Sequence, residues 1–184
     1  MSDRESLAAL LRERSVSLGD FRLASGQHSG YYIDARKTTM SAQGQLLVGR
    51  LGLAGIRAAG WAPAAVGGLT MGADPVAYAI ARASADQPPP IHAFSVRKEA
   101  KAHGTARRIE GNFGPGDRVV VLEDVITTGG SALQAISVVG AEGGEVLGVL
   151  AVVDRLQGGR AAIEATGINV VVLTTISDLG VEAE

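Results

Sequence analysis

From residue 64 onward, short apolar runs alternate with amphipathic, glycine-punctuated segments, and this constrains the chain more than any other feature. Ala64 to Gly68, Ile91 to Val96, Arg118 to Leu122, Val146 to Val153 and Val170 to Thr175 read as strands. Their apolar character is largely continuous, as in strands covered on both faces. Between them, Asp74 to Ala85, Gly130 to Gly140 and Gly159 to Ala165 read as helices, the first with Asp74 as cap and Pro75 in the opening position. Upstream, Ser2 or Asp3 can cap a helix that ends near Ser15, with Leu7, Leu10 and Leu11 at helical spacing. Ser41 to Gly60 reads as a second helix. Phe21 to Arg36 is a glycine-rich stretch, and Lys98 to Pro115 is polar, basic and without a sustained period, so it reads as a long loop. The alternation predicts one α/β domain over residues 1–184, an open, mainly parallel twisted sheet flanked by helices.

Composition narrows the function classes. With 46% hydrophobic residues among 184, a core forms without staples, and the absence of cysteine excludes disulfides, thiol catalysis and cysteine-bound zinc. A net charge of −2 argues against a general polyanion binder, so no nucleic-acid partner is expected. No apolar run nears the ~20 residues of a membrane span, and Met1 to Arg14 is charged rather than apolar. The expectation is a cytoplasmic protein with no membrane partner. Fourteen arginines stand against three lysines, Lys37, Lys98 and Lys101. Two of those rare lysines lie three positions apart.

The most informative segment is Val119-Val120-Val121-Leu122-Glu123-Asp124-Val125-Ile126-Thr127-Thr128-Gly129-Gly130-Ser131. An apolar strand carries two carboxylates at its carboxyl end, and a hydroxyl- and glycine-rich turn then opens a helix. In open α/β sheets ligands bind beyond the carboxyl ends of strands. Glycines let backbone approach an anion, hydroxyls donate to it, and the helix N-terminus adds positive potential. The turn therefore suits a phosphate, while the paired acids suit the vicinal hydroxyls of a sugar. No lysine follows the glycines, so this is not a Walker-type loop, and the spacing of a dinucleotide fingerprint is absent. An ordinary polar-capped strand–helix turn is the bland alternative.

This string resembles the phosphoribosyl pyrophosphate signature of the type I phosphoribosyltransferases. The resemblance implies that Glu123 and Asp124 contact the ribose hydroxyls and that Val125, Ile126, Thr127, Thr128, Gly129, Gly130 and Ser131 hold the 5′-phosphate. It also implies a small N-terminal hood, to which residues 1–36 contribute.

Four further segments bear on which member this is. Arg97-Lys98-Glu99-Ala100-Lys101-Ala102-His103-Gly104 opens the long loop with basic groups suited to a pyrophosphate leaving group, or else is a solvated charge run. Its spacing is similar to the flexible catalytic loop of the orotate phosphoribosyltransferases, here residues 98–115, which implies pyrophosphate contacts from Arg97, Lys98, Lys101 and His103. Phe21 to Asp34 is similar to that family's base-pocket segment, implying orotate contacts near Ser25 and Gly26; the family often has a lysine where Ala24 stands here. Gly67 to Pro75 joins a strand to a helix and offers backbone N–H groups on the pyrophosphate side. Val153-Asp154-Arg155 ends a buried strand at the same edge as Glu123. Arg155 reads either as a surface charge or, through the resemblance, as the group that grips the orotate carboxylate, with Thr127 also at the base.

The resemblance implies a glycosyltransferase of pyrimidine biosynthesis, with Lys101, His103 and Asp124 as catalytic residues. It would convert orotate and phosphoribosyl pyrophosphate (PRPP) to orotidine 5′-monophosphate and pyrophosphate. Mg²⁺ is expected as cofactor, held by substrate and water and by no protein ligand directly. A homodimer with shared active sites is expected as well. The rivals are a phosphoribosyltransferase for another base, which would need neither the basic-loop spacing nor Arg155, and a PRPP-sensing regulator with the same fold, which would show a basic face.

Overall fold

Residue pattern turns into secondary structure along the chain much as the periodicities require. The computed structural model describes residues 1–22, 28–99 and 108–182. Helix α1 (Asp3–Ser15) opens with a capping box: the Ser2 hydroxyl accepts from Glu5 N–H, and the Glu5 carboxylate accepts from Ser2 N–H. Strands β1 (Val16–Arg22) and β2 (His28–Ile33) form an antiparallel ribbon, the hood, in the region that glycine content marked as irregular. Its alternating burial puts Ser29, Tyr31 and Ile33 on one side. A four-residue helix α2 (Arg36–Thr39), too short to show a period, precedes α3 (Ala42–Ala58), which Ser41 caps through Gly44 N–H.

The glycines of α3 blur its helical pattern for a packing reason. A Cβ on Gly49 would lie 2.5 Å from the Ala79 carbonyl oxygen, and one on Gly52 would lie 2.6 Å from Ile80. They permit close contact with α4 (Ala73–Ala85), which follows β3 (Ala65–Leu69). The cap of α4 is Gly72, not Asp74, and Pro75 is the third helical residue rather than the first. Either position in the first turn suits proline, because N–H groups there have no intrahelical acceptor.

Strand β4 (His92–Val96) runs parallel to β3, and β5 (Ile109–Gly111) then returns antiparallel to β4. The segment expected to be one long loop thus contains an edge strand. Ile109 is buried and Phe113 packs on Phe94 with ring centroids 5.6 Å apart; two isolated apolar residues among charges carry too little periodicity to announce this. After it, β6 (Arg118–Ile126) extends four residues beyond the apolar run, so Glu123 and Asp124 lie within the strand rather than past its end. Helix α5 (Gly130–Ala141), β7 (Glu145–Asp154), α6 (Gly159–Glu164), β8 (Val170–Thr175) and a final 3₁₀ turn, Ser177–Leu179, complete the chain.

The main sheet has the order β5-β4-β3-β6-β7-β8, with every pair parallel except β4–β5. Two-residue alternation in β6 sends Val120 and Leu122 into a core with α1, α3 and α4, and Val119 and Val121 into a second core with α5. Two buried faces explain why the strands read as continuous apolar runs. From β3 the chain builds outward through β4 to β5; from β6 it builds the opposite way through β7 to β8. The order therefore reverses between β3 and β6, and a crevice opens where the connections after these strands part. No helix among the described residues is long and apolar enough to cross a membrane.

Candidate active site

The crevice between β3 and β6 holds a cavity of about 360 Å³. Its walls are the connections that leave the carboxyl ends of the strands: Thr70 to Gly72 after β3, Lys98 after β4, Thr127 and Ser131 after β6, and Arg155 after β7. Glu123 to Val125 form its floor, and Tyr32 to Arg36, from the end of the hood ribbon, close one side. A smaller recess of about 70 Å³ adjoins it, lined by Glu123 and by Val125 to Ser131.

Glycine shapes the recess. Gly129 caps α5 with φ of +81°, a left-handed conformation in which a side chain would be strained. Behind the turn, Gly159 N–H donates to the Thr127 carbonyl at 3.1 Å, and a Cβ on Gly159 would lie 2.7 Å from both Gly129 N and Ile126 Cγ2. The first N–H groups of α5 have no carbonyl one turn back, and the helix dipole is positive at this end. The recess fits a phosphate.

The floor carries two adjacent acids. Glu123 is 7% exposed, and burial, reinforced by the neighbouring Asp124 charge, pushes its carboxyl up to about 8. Burial also raises Asp124, opposed by the Val125 N–H that donates to its Oδ1 at 2.9 Å and more weakly by the positive charge of Arg36. A Cβ on Gly72 would lie 2.5 Å from Asp124 Oδ1, so the connection after β3 passes directly over this carboxylate. Arg36 is held by Asp34, with Nε 2.8 Å and Nη2 3.2 Å from its two carboxylate oxygens, and this contact keeps Asp34 below the usual carboxylate range.

Arg155, 6% exposed, lines the same cavity. Its N–H donates to the Ile126 carbonyl at 3.0 Å, which ties the end of β7 to the end of β6. Its Nε donates to the Tyr31 hydroxyl at 3.0 Å, and its Nη2 is buried without a partner. Among the described residues no carboxylate lies within ion-pair distance; the Asp154 carboxylate instead accepts from Leu156 N–H at 2.8 Å. A buried cation without a counter-ion is costly, and an incoming anion removes that cost.

The structure thus brings together Glu123, Asp124, Val125, Thr127, Ser131, Lys98 and Arg155 around the cavity, and Ile126, Thr128, Gly129 and Gly130 around the recess. Arg97 does not line either; its Nε is 3.1 Å from Glu110. Lys101, His103, Ser25 and Gly26 lie outside the described residues, as does most of the basic run. Sequence reasoning missed Arg36, Tyr31 as partner of Arg155, and Gly72 and Gly159 as backs to the site. Each acts through a neighbour distant in the chain, a relation no local spacing carries.

No family model matches the chain. Among curated proteins it is similar to the orotate phosphoribosyltransferase of Aquifex aeolicus, 48% identical over 182 residues that cover 97% of this chain and 98% of that protein. The orotate phosphoribosyltransferase of Rhodopirellula baltica is 44% identical over 184 residues, covering 98% and 95% respectively. Among solved structures, that of Mycobacterium tuberculosis orotate phosphoribosyltransferase in complex with 5-phospho-alpha-D-ribosyl 1-diphosphate superimposes with a TM-score of 0.83 at 43% identity, over 98% of this chain and all of that one.

Proposed function

The chain belongs to the orotate phosphoribosyltransferase family, and we propose that its cavity performs that reaction with the residue roles that follow. The phosphoribosyl group of PRPP passes to a ring nitrogen of orotate, giving orotidine 5′-monophosphate and pyrophosphate. The 5′-phosphate sits in the recess under Thr127 to Ser131, the ribose hydroxyls face Glu123 and Asp124, and Arg155 takes the orotate carboxylate. Pyrophosphate leaves toward Lys98 and the basic run, with Lys101 and His103 as its further contacts.

The observation that carries the base assignment is Arg155, buried, facing the cavity and without a counter-ion among the described residues. Uracil, hypoxanthine and adenine offer no carboxylate to satisfy it. Orotate does; as its ring nitrogen bonds to C1′ and the C1′–O bond to pyrophosphate breaks, the proton on that nitrogen passes to solvent. The displacement at C1′ develops positive charge on the ribose, which the adjacent Asp124 carboxylate stabilises, while cations hold the departing pyrophosphate. Orientation by the three anchoring points supplies the rest.

Among the described residues no three His, Asp or Glu converge on one point. Mg²⁺ would be held chiefly by oxygens of the substrates and by water. When bound there it neutralises leaving-group charge. We read the chain as one cytoplasmic domain whose catalytic loop is the part of residues 98–115 that precedes β5, and as a two-fold dimer in which Lys101 of one subunit serves its partner's site.

Steady-state assays with orotate, uracil, hypoxanthine and adenine test the base assignment. Orotate alone should give appreciable kcat/KM, and equal use of uracil would overturn the role of Arg155. Mixing Lys101→Ala with Asp124→Ala protein tests the shared site. Random exchange makes half the dimers mixed, each with one intact site, so activity should recover to about a quarter of wild type. Subunit exchange shown by a mass tag without recovered activity would refute it.

A further inference from the structure

Arg155 has two edges with which a guanidinium can grip a carboxylate in two parallel hydrogen bonds: one made by Nε and a terminal nitrogen, the other by the two terminal nitrogens. The Nε edge is already engaged. Tyr31 lies in β2 with 1% of its surface exposed, and its hydroxyl accepts from Arg155 Nε at 3.0 Å. The guanidinium carbon stands 4.6 Å from the centroid of the same ring, so the aromatic face also supports the cation. Arg155 N–H is fixed on Ile126, and Tyr31 is fixed by strand pairing with Leu18 and by the Ser29 hydroxyl, which donates to its carbonyl at 2.8 Å. Both ends of this contact are rigid, although 124 positions separate them.

We propose that Tyr31 is a positioning residue for base selection, which by occupying Nε turns the terminal-nitrogen edge of Arg155 toward the carboxylate of the substrate. The deepening rests on the reading that Arg155 takes that carboxylate. A phenol suits the task better than an acid would. It accepts one hydrogen bond and stacks, yet brings no negative charge, so the full charge of Arg155 stays available to the ligand. The buried Nη2 without a partner is the terminal nitrogen that both edges share, and it is still unengaged. The placement also couples the hood to the base: β2 reaches the end of β7 through this contact, and Tyr32 to Arg36, which follow directly, line the cavity.

Tyr31→Phe removes the acceptor and keeps the ring. The orotate KM should rise about tenfold, the lower end of what a hydrogen bond to a charged group contributes. The PRPP KM and kcat should stay within roughly twofold. Because uracil lacks the carboxylate, any slow turnover of uracil should be unaffected, so the preference for orotate over uracil falls with the orotate KM. In Arg155→Ala the same substitution should add nothing, since the group it positions is gone. Thermal unfolding of Tyr31→Phe controls for packing. Equal rises in both KM values with a lowered Tm would assign Tyr31 to the core and overturn the proposal. If Arg155→Ala raises the orotate KM selectively while Tyr31→Phe leaves it unchanged, the positioning role fails and the base assignment stands. If Arg155→Ala has no selective effect, the base assignment falls and takes this proposal with it.

Discussion

Glu123→Gln isolates the electrostatic cost built into the floor of the site. The Glu123 carboxyl is raised from 4.5 to about 8, by burial first and by the Asp124 charge second, and Asp124 is raised as well. An acid with a folded-state pKa above its unfolded value holds a proton in the native state that the unfolded chain has released. Stability is therefore greatest below about pH 4.5 as far as this group is concerned, and it is lost as pH rises toward 8. One proton per molecule corresponds to about 1.4 kcal/mol per pH unit, which bounds the loss between pH 6 and 8 at roughly 3 kcal/mol. Relaxation and water entry reduce this to an expected ~2 kcal/mol, or about 4–8 °C in Tm for a chain of this size. Glutamine keeps the shape and cannot ionise. Ligand-free Glu123→Gln should match wild type below about pH 4.5 and gain on it as pH rises, with the advantage at pH 8 larger than that at pH 6 by this margin. The measurement is Tm of both proteins across the range, read as a difference so that histidines and surface groups cancel. Parallel curves would refute the reasoning, because the buried pair would then release its proton no later in the native state than in the unfolded chain.

Gly159→Ala adds a methyl within 2.7 Å of Gly129 N and Ile126 Cγ2, an overpacking that costs ~1–3 kcal/mol. It should also raise the PRPP KM several-fold by pushing the phosphate turn forward, with orotate KM unchanged; an unaltered PRPP KM would show that α6 does not set the turn. Asp124→Asn should lower kcat/KM by at least ~100-fold, with unchanged circular dichroism, and wild-type turnover would remove the ribose role of the paired acids.

The sheet was legible because every strand except the β5 edge carried a continuous apolar run, and the paired acids and phosphate turn were legible because they are consecutive in one strand–turn–helix unit. Both signals are local. Where the expectations failed, the deciding interaction was not. Strand β5 depends on Ile109 and Phe113 finding Phe94 and the β4 edge, and the hood ribbon depends on pairing across residues that glycine content marked as irregular. Gly72 reads in the sequence as part of a connection, yet its lack of a side chain matters because Asp124 lies against it from a strand about fifty residues later. Arg155 stood out by its place at a strand end, but nothing around it in the sequence points to Tyr31. The boundary of β6 is the instructive error. Apolar content ends at Leu122, whereas hydrogen bonding to β7 continues to Ile126, since backbone pairing is indifferent to the charge of the side chains it carries.

That extension explains how opposite charges coexist in so small a space without cancelling. Glu123 and Asp124 ride on β6 and Arg155 follows the adjacent β7, one strand away, yet they form no ion pair. Had they done so, Arg155 would no longer present an unpartnered cation to the cavity. Instead each charge is held by a partner that leaves it usable. Asp124 accepts the Val125 N–H, and Arg155 is turned aside by the neutral hydroxyl of Tyr31. The uncompensated burial remains as a cost in the empty site. Substrates that satisfy the two sites recover part of it, so their binding should stabilise the fold beyond what contact area alone gives. On this view the strained electrostatics of the crevice are inseparable from its selectivity, since a ligand lacking either the hydroxyls or the carboxylate leaves one of the two costs in place.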